Sequence, residues 1–197
     1  KTIKNFNQKA IKAFMQKNYN TNEMILSSVG NIDFNKLVRL AEKYMGGIPS
    51  NKRQHKRLGI NGYETRELHV KKDIVQTHCM IGNRAYSTME KKARPLILLN
   101  NLLGGPGMNS RLNLGIREKY GFTYSIESNY TNYEDTGFWS IYFGTEPQSV
   151  KRTLKLINKE LKKLRDVKLG SVQLKKAQQQ LIGQLAIAQE NNCNLMQ

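Results

Sequence analysis

The chain has 197 residues and a net charge of +17, from 32 Lys and Arg against 15 Asp and Glu. Its apolar content of 39% suffices for a packed core at this length and excludes a disordered polyelectrolyte. Two cysteines exclude a disulfide framework, and no apolar run reaches the roughly 18 residues of a membrane-spanning helix.

The opening Lys1-Thr2-Ile3-Lys4 has neither an initiator Met nor the apolar run of a signal peptide, and reads as an excised piece of a longer protein. From Thr2 to Tyr19, the stripe Ile3, Phe6, Ala10, Ile11, Phe14 and Met15 predicts an amphipathic helix. The apolar run over 23–29 predicts a buried strand. Asp33 to Tyr44 returns to helical period through Leu37, Leu40 and Ala41. Gly46-Gly47-Ile48-Pro49 then opens a basic linker. The expected organisation is a closing helix–strand–helix segment over 1–50, a linker over 51–62 and a main domain over 63–197.

In that domain, 64–71 and 74–81 read as two strands joined at Lys72-Asp73. Ser87 to Leu103 reads as a helix opened by a Ser87/Glu90 capping box. Pro95 requires either a kink or a regular part that starts just before it. Gly104-Gly105-Pro106-Gly107 is a turn with wide backbone freedom. A second helix runs from Asn109 to Tyr120 and ends at Gly121 as a left-handed cap. Two strands, 122–133 and 137–144, make a hairpin around Glu134-Asp135-Thr136. Thr145-Glu146-Pro147-Gln148 opens a long basic helix, and Ser171 caps a last one running to Gln189. Strands joined by short turns favour antiparallel pairing, so the expected fold is α+β, an antiparallel sheet with helices on one face.

The charge has an ordinary explanation. Lys151, Lys155, Lys159 and Lys162 alternate with Leu154, Ile157, Leu161 and Leu164 at helical spacing, which makes them the solvated face of an amphipathic helix. The cluster Lys52-Arg53, His55-Lys56-Arg57 has no interleaved aromatic, so nucleic acid is a poor candidate partner. Cys79 and Cys193 are expected as two buried thiols.

A helical zinc-peptidase site needs two His one turn apart beside a Glu. The only histidines are His55, His69 and His78, and none stands in such a motif, so no metal ligand is assigned. No Gly-x-Ser-x-Gly elbow or phosphate loop is present. From local pattern alone, Tyr124 shares strand parity with Phe122 and Ile126 and reads as core. Arg117 reads as a charge favoured by its helix C-terminus.

One segment carries more. Leu103-Gly104-Gly105-Pro106-Gly107-Met108-Asn109-Ser110-Arg111-Leu112, followed by Arg117-Glu118-Lys119-Tyr120-Gly121-Phe122-Thr123-Tyr124-Ser125, resembles the pitrilysin/insulinase family of zinc peptidases, which includes the mitochondrial processing peptidases. The stretch from Phe14 to Asp33, and Gly137-Phe138 followed by Pro147, resemble the same family. The resemblance implies two similar α+β halves enclosing a chamber. One half carries His-x-x-Glu-His and zinc. The other supplies an Arg and a Tyr seven positions apart that grip peptide substrate, matching Arg117 and Tyr124. The turn at Gly104, Gly105 and Gly107 would lie near that site. Zinc is then expected in a missing half or a partner subunit, and the chain alone is expected to be inactive. A non-catalytic subunit or scaffold of a processing-peptidase-like complex is the alternative. Segment 23–29 is further expected to complete the sheet, either within one chain or exchanged between two copies as a homodimer, which would cover an open sheet edge.

Overall fold

The computed structural model describes residues 2–54, 56, 58–60 and 62–196. His55 and Arg57 of the basic cluster lie outside the described residues. The chain divides into two compact units, Lys1–Leu58 with Ala186–Gln197, and Gly59–Leu185.

The first unit is built from short helices. Instead of one helix over 2–19, a 3-10 turn spans Thr2–Asn5 and helix α1 spans Gln8–Asn18. Asn7 causes the break, because its side chain accepts from the Ala10 N–H at 2.9 Å and caps α1. Helix α2, Phe34–Met45, starts at Asp33, which caps the Lys36 N–H at 2.9 Å. Neither helix buries a residue, so the predicted apolar stripe of α1 stays exposed. The strand expected over 23–29 is absent: 21–23 form a 3-10 turn, and the residues after them are irregular and exposed. Asn51 braces this turn, accepting from the Thr21 N–H at 2.7 Å and donating its own N–H to Thr21 Oγ1 at 2.8 Å.

The second unit carries the sheet, with three strands among the described residues. They are β1, Thr77–Ala85, β2, Thr123–Asn132, and β3, Gly137–Thr145, in the order β1-β3-β2, antiparallel throughout. The strand expected over 64–71 does not form. Leu68 and Val70 are exposed, and no neighbouring ladder pairs with that stretch. Only the second of the two expected strands exists, shifted to begin at Thr77.

Helix α3, Ala93–Gly104, starts two residues before Pro95, so the proline sits in the first turn, where its missing N–H costs nothing. The Ser87/Glu90 box does not open the helix as expected: the Ser87 N–H donates to Glu90 Oε2 at 2.8 Å, but this closes a turn, and α3 starts only at Ala93. The helix expected over 109–120 is α-helical only at its ends, with Asn113–Glu118 winding as a π-helix. It ends at Gly121, whose φ of +63° is the left-handed cap that glycine suits. A 3-10 turn, Pro147–Ser149, leads into α4, Val150–Asp166, and α5 spans Ser171–Gln189. A short α6, Asn192–Leu195, follows.

One face of the sheet holds the core. Ile126, Ile141 and Phe143 pack with Leu103 of α3, Leu112 just before the π-helical segment, Ile116 within it, and Ile157 of α4. Leu154, Leu161 and Leu164 pack against this cluster while the lysines of α4 stay in water, as their spacing predicts. Cys79 is half-buried against the core; Cys193 is exposed, so the pair of buried thiols does not exist.

Candidate functional site

Gly121 separates the two residues singled out by motif. Arg117 lies one turn before it, and its backbone carbonyl accepts the Gly121 N–H at 2.9 Å. The Arg117 side chain is half-buried and has no ion pair among the described residues. It follows Ile116, which is fully buried, so the helix is anchored immediately before the guanidinium.

Tyr124 lies where β2 is irregular. Thr123 pairs with Thr145 and Ser125 with Gly144, adjacent residues of β3, so Tyr124 is the extra residue of a β-bulge. Strict alternation would have put Tyr124 on the core face with Ile126. The bulge resets the phase: Thr123 and Ile126 are buried, while Tyr124 and Ser125 between them are exposed. The expectation that Tyr124 is core is therefore corrected.

The exposed ring lines an open depression of about 460 Å³ at the end of the sheet. Gln76, Phe122, Gly144, Glu146 and Ser149 also line it. Gly144 adds no side chain to the lining, and a Cβ there would make only ordinary contacts, 3.5 Å from Gln76 Oε1 and 3.8 Å from His78 Nδ1. Phe122 is held by Tyr120, stacked at 5.4 Å, and by Arg152 of α4, 5.9 Å from its ring centre. The Thr145 hydroxyl donates to the Phe122 carbonyl and ties the rim to β3. Motif reading missed Gly144 and Gln76. A glycine inside a strand was the available signal for the first, and nothing marked the second.

Arg117 is not among the residues lining this depression. The glycine turn does not line it either. A Cβ at Gly104 would stand 2.7 Å from the Ser128 N atom of β2, so this glycine permits close helix–strand approach. Gly105 makes room for Asn101, and Gly107 for the amide pair of Asn109 and Gln180.

Zinc does not fit the residues present. Among the described residues no three His, Cys, Asp or Glu side chains gather as a metal site. His78 is engaged with the Tyr142 hydroxyl at 2.7 Å, and His69 with Glu67 at 2.8 Å.

Residues 5–181 match the family model described as the peptidase M16 inactive domain. The uncharacterized zinc protease YmxG of Bacillus subtilis is 29% identical over 197 residues, covering 99% of this chain and 47% of the relative. The mitochondrial-processing peptidase subunit alpha of Pongo abelii is 25% identical, covering 96% of this chain and 40% of the relative. The chain thus spans about half the length of the curated relatives it matches. The crystal structure of a peptidase M16 inactive domain from Pseudomonas fluorescens superposes with a TM-score of 0.80 over 91% of this chain and 43% of that one, at 23% identity, a likeness of fold.

Proposed function

The chain belongs to the peptidase M16 inactive-domain family, and from that premise we propose that it is the substrate-gripping, non-zinc portion of a zinc-dependent endopeptidase. The parent acts on peptides or unfolded segments. Metal and general base come from another half or a partner subunit, and this chain alone hydrolyses nothing.

The observation that carries the reading is the exposure of Tyr124, set by a bulge beside an open depression of about 460 Å³. A phenol O–H donates well to a carbonyl oxygen that gains negative charge as its carbon turns tetrahedral. Arg117 presents a rigid fork of N–H donors, suited to a peptide carbonyl or a terminal carboxylate, and no ion pair occupies it among the described residues. Gly144 lines the depression without a side chain, which leaves its backbone open to a substrate strand.

The test is reconstitution. The chain is assayed on an unstructured peptide with zinc alone, then with the zinc-bearing half or subunit added. No hydrolysis in the first case and hydrolysis in the second is the expected result. Chelator-sensitive hydrolysis by the chain alone refutes the division of labour.

A further inference from the structure

A second cleft, between α3 and α5, involves neither Arg117 nor Tyr124. Its wider part, about 370 Å³, is walled mainly by apolar side chains, among them Pro95, Leu96, Leu99 and Leu174, with Tyr86 and Lys92 also in its lining, the Lys92 ammonium 5.8 Å from the Tyr86 ring centre. Leu102 and Leu169 line this part and also an adjoining pocket of about 200 Å³, so the two are continuous. Beyond that pair of leucines the chemistry changes. The smaller pocket presents Asn101, Arg111, Gln173 and Lys176.

Three of those groups lack full partners. Asn101 is only 8% exposed, and its side-chain amide makes no hydrogen bond among the described residues. The amide atoms keep residual solvent contact, since the buried side-chain atoms without a partner among the described residues are Thr123 Oγ1 and Thr153 Oγ1, so the amide is open to a ligand or to water. Arg111 reaches Glu160 only at 4.0 Å, which leaves most of its donors free. Lys176 has no ion pair among the described residues. The walls are fixed, because Asn109 and Gln180 exchange two amide hydrogen bonds of 3.0 and 3.2 Å and join the glycine turn to α5.

We propose that this cleft binds the C-terminal end of a polypeptide. Apolar side chains occupy the leucine-walled part, and the free α-carboxylate meets Arg111, Lys176 and the Asn101 amide. Charge complementarity selects this occupant: the cleft lining holds no carboxylate among the described residues, Lys92 is engaged over the Tyr86 ring, and the apolar trough leads to Arg111, Lys176 and a free amide, which fits a chain ending in one negative charge. The site stands whether or not Arg117 and Tyr124 grip substrate.

The test titrates the 197-residue chain, followed by amide NMR, with a short labelled peptide ending in two leucines. The same peptide with an amidated C-terminus, and dodecanoate, are the comparison ligands. The free acid should perturb residues around Asn101, Arg111 and Lys176 and bind at least about tenfold more tightly than the amide. Lys176→Glu should remove that preference while leaving the melting temperature unchanged. Leu174→Asp should weaken acid and amide alike, and Tyr124→Phe should change neither. Equal affinity of acid and amide overturns the proposal. So do perturbations centred on Tyr124 and Gly144, or binding of dodecanoate without binding of the peptide.

Discussion

Tyr124 and Ile126 stand two residues apart on β2, yet the first is 81% exposed and the second 4%. A single unpaired residue produces this reversal, and the proposed chemistry rests on it. Removing the Tyr124 hydroxyl should therefore cost function without costing fold. Tyr124→Phe is expected to change stability by less than about 0.5 kcal/mol, as surface substitutions do. In the reconstituted peptidase it should lower kcat by about a hundredfold, the usual size for losing one oxyanion donor. Arg117→Gln should act mainly on KM. Steady-state kinetics with thermal melts of both variants checks the pair.

Two glycines should respond oppositely to alanine. At Gly104 a Cβ meets the Ser128 backbone at 2.7 Å, so Gly104→Ala forces α3 from β2 and should cost about 1–3 kcal/mol. At Gly115 nothing lies within 4 Å of the added methyl, and φ is not in the left-handed range. Gly115→Ala should be neutral or stabilise by up to about 1 kcal/mol. Urea denaturation distinguishes the two.

The cysteines differ in reactivity. Burial pushes the Cys79 thiol above its ordinary value, and the Glu67 charge adds to the shift. A raised pKa leaves less thiolate at a given pH, so Cys79 should alkylate at least about tenfold more slowly than exposed Cys193 at pH 8. Stability carries the same sign. The unfolded thiol ionises first as pH rises, so this contribution is whole below the ordinary thiol value and is lost with further alkalinity. Mass spectrometry of timed iodoacetamide labelling reads the first effect.

Segment exchange makes a prediction about assembly. Residues 23–29 form no strand, and the three strands of the sheet all come from the second unit. Segment 23–29 therefore does not complete the sheet within one chain. Exchange between two copies predicts a dimer in sedimentation equilibrium that Ile25→Lys returns to monomer. A monomer at every concentration rejects it.

What the sequence made legible follows from which forces are local. Helices α2 to α5 announce themselves through apolar period, and α2 also through its cap Asp33, because these act within a turn or two, whereas the Ser87/Glu90 box closes a turn that ends before α3 begins. Strands need partners, and alternation at Leu68 and Val70 could not show that none would be offered. The exposure of Tyr124 was illegible for a different reason. Thr123, Tyr124 and Ser125 are compatible with a regular strand, and only pairing with β3 decides which of them is left over. The motif singled out Tyr124 where parity put it in the core, and its ring is exposed. The π-helical winding around Gly115 had no local signature beyond weak helix formers, Asn113 and Gly115, in mid-helix.

That winding and the bulge bracket Gly121 from either side, each holding one residue more than regular geometry requires. Such slack lets a chain change length without unravelling, since a lost residue can be taken from either irregularity. A deletion before Arg117 would tighten the coil and rotate the guanidinium. A deletion after it would straighten the strand and turn the phenol inward. Kinship in this stretch is therefore better judged by the interval between those two side chains than by ungapped length.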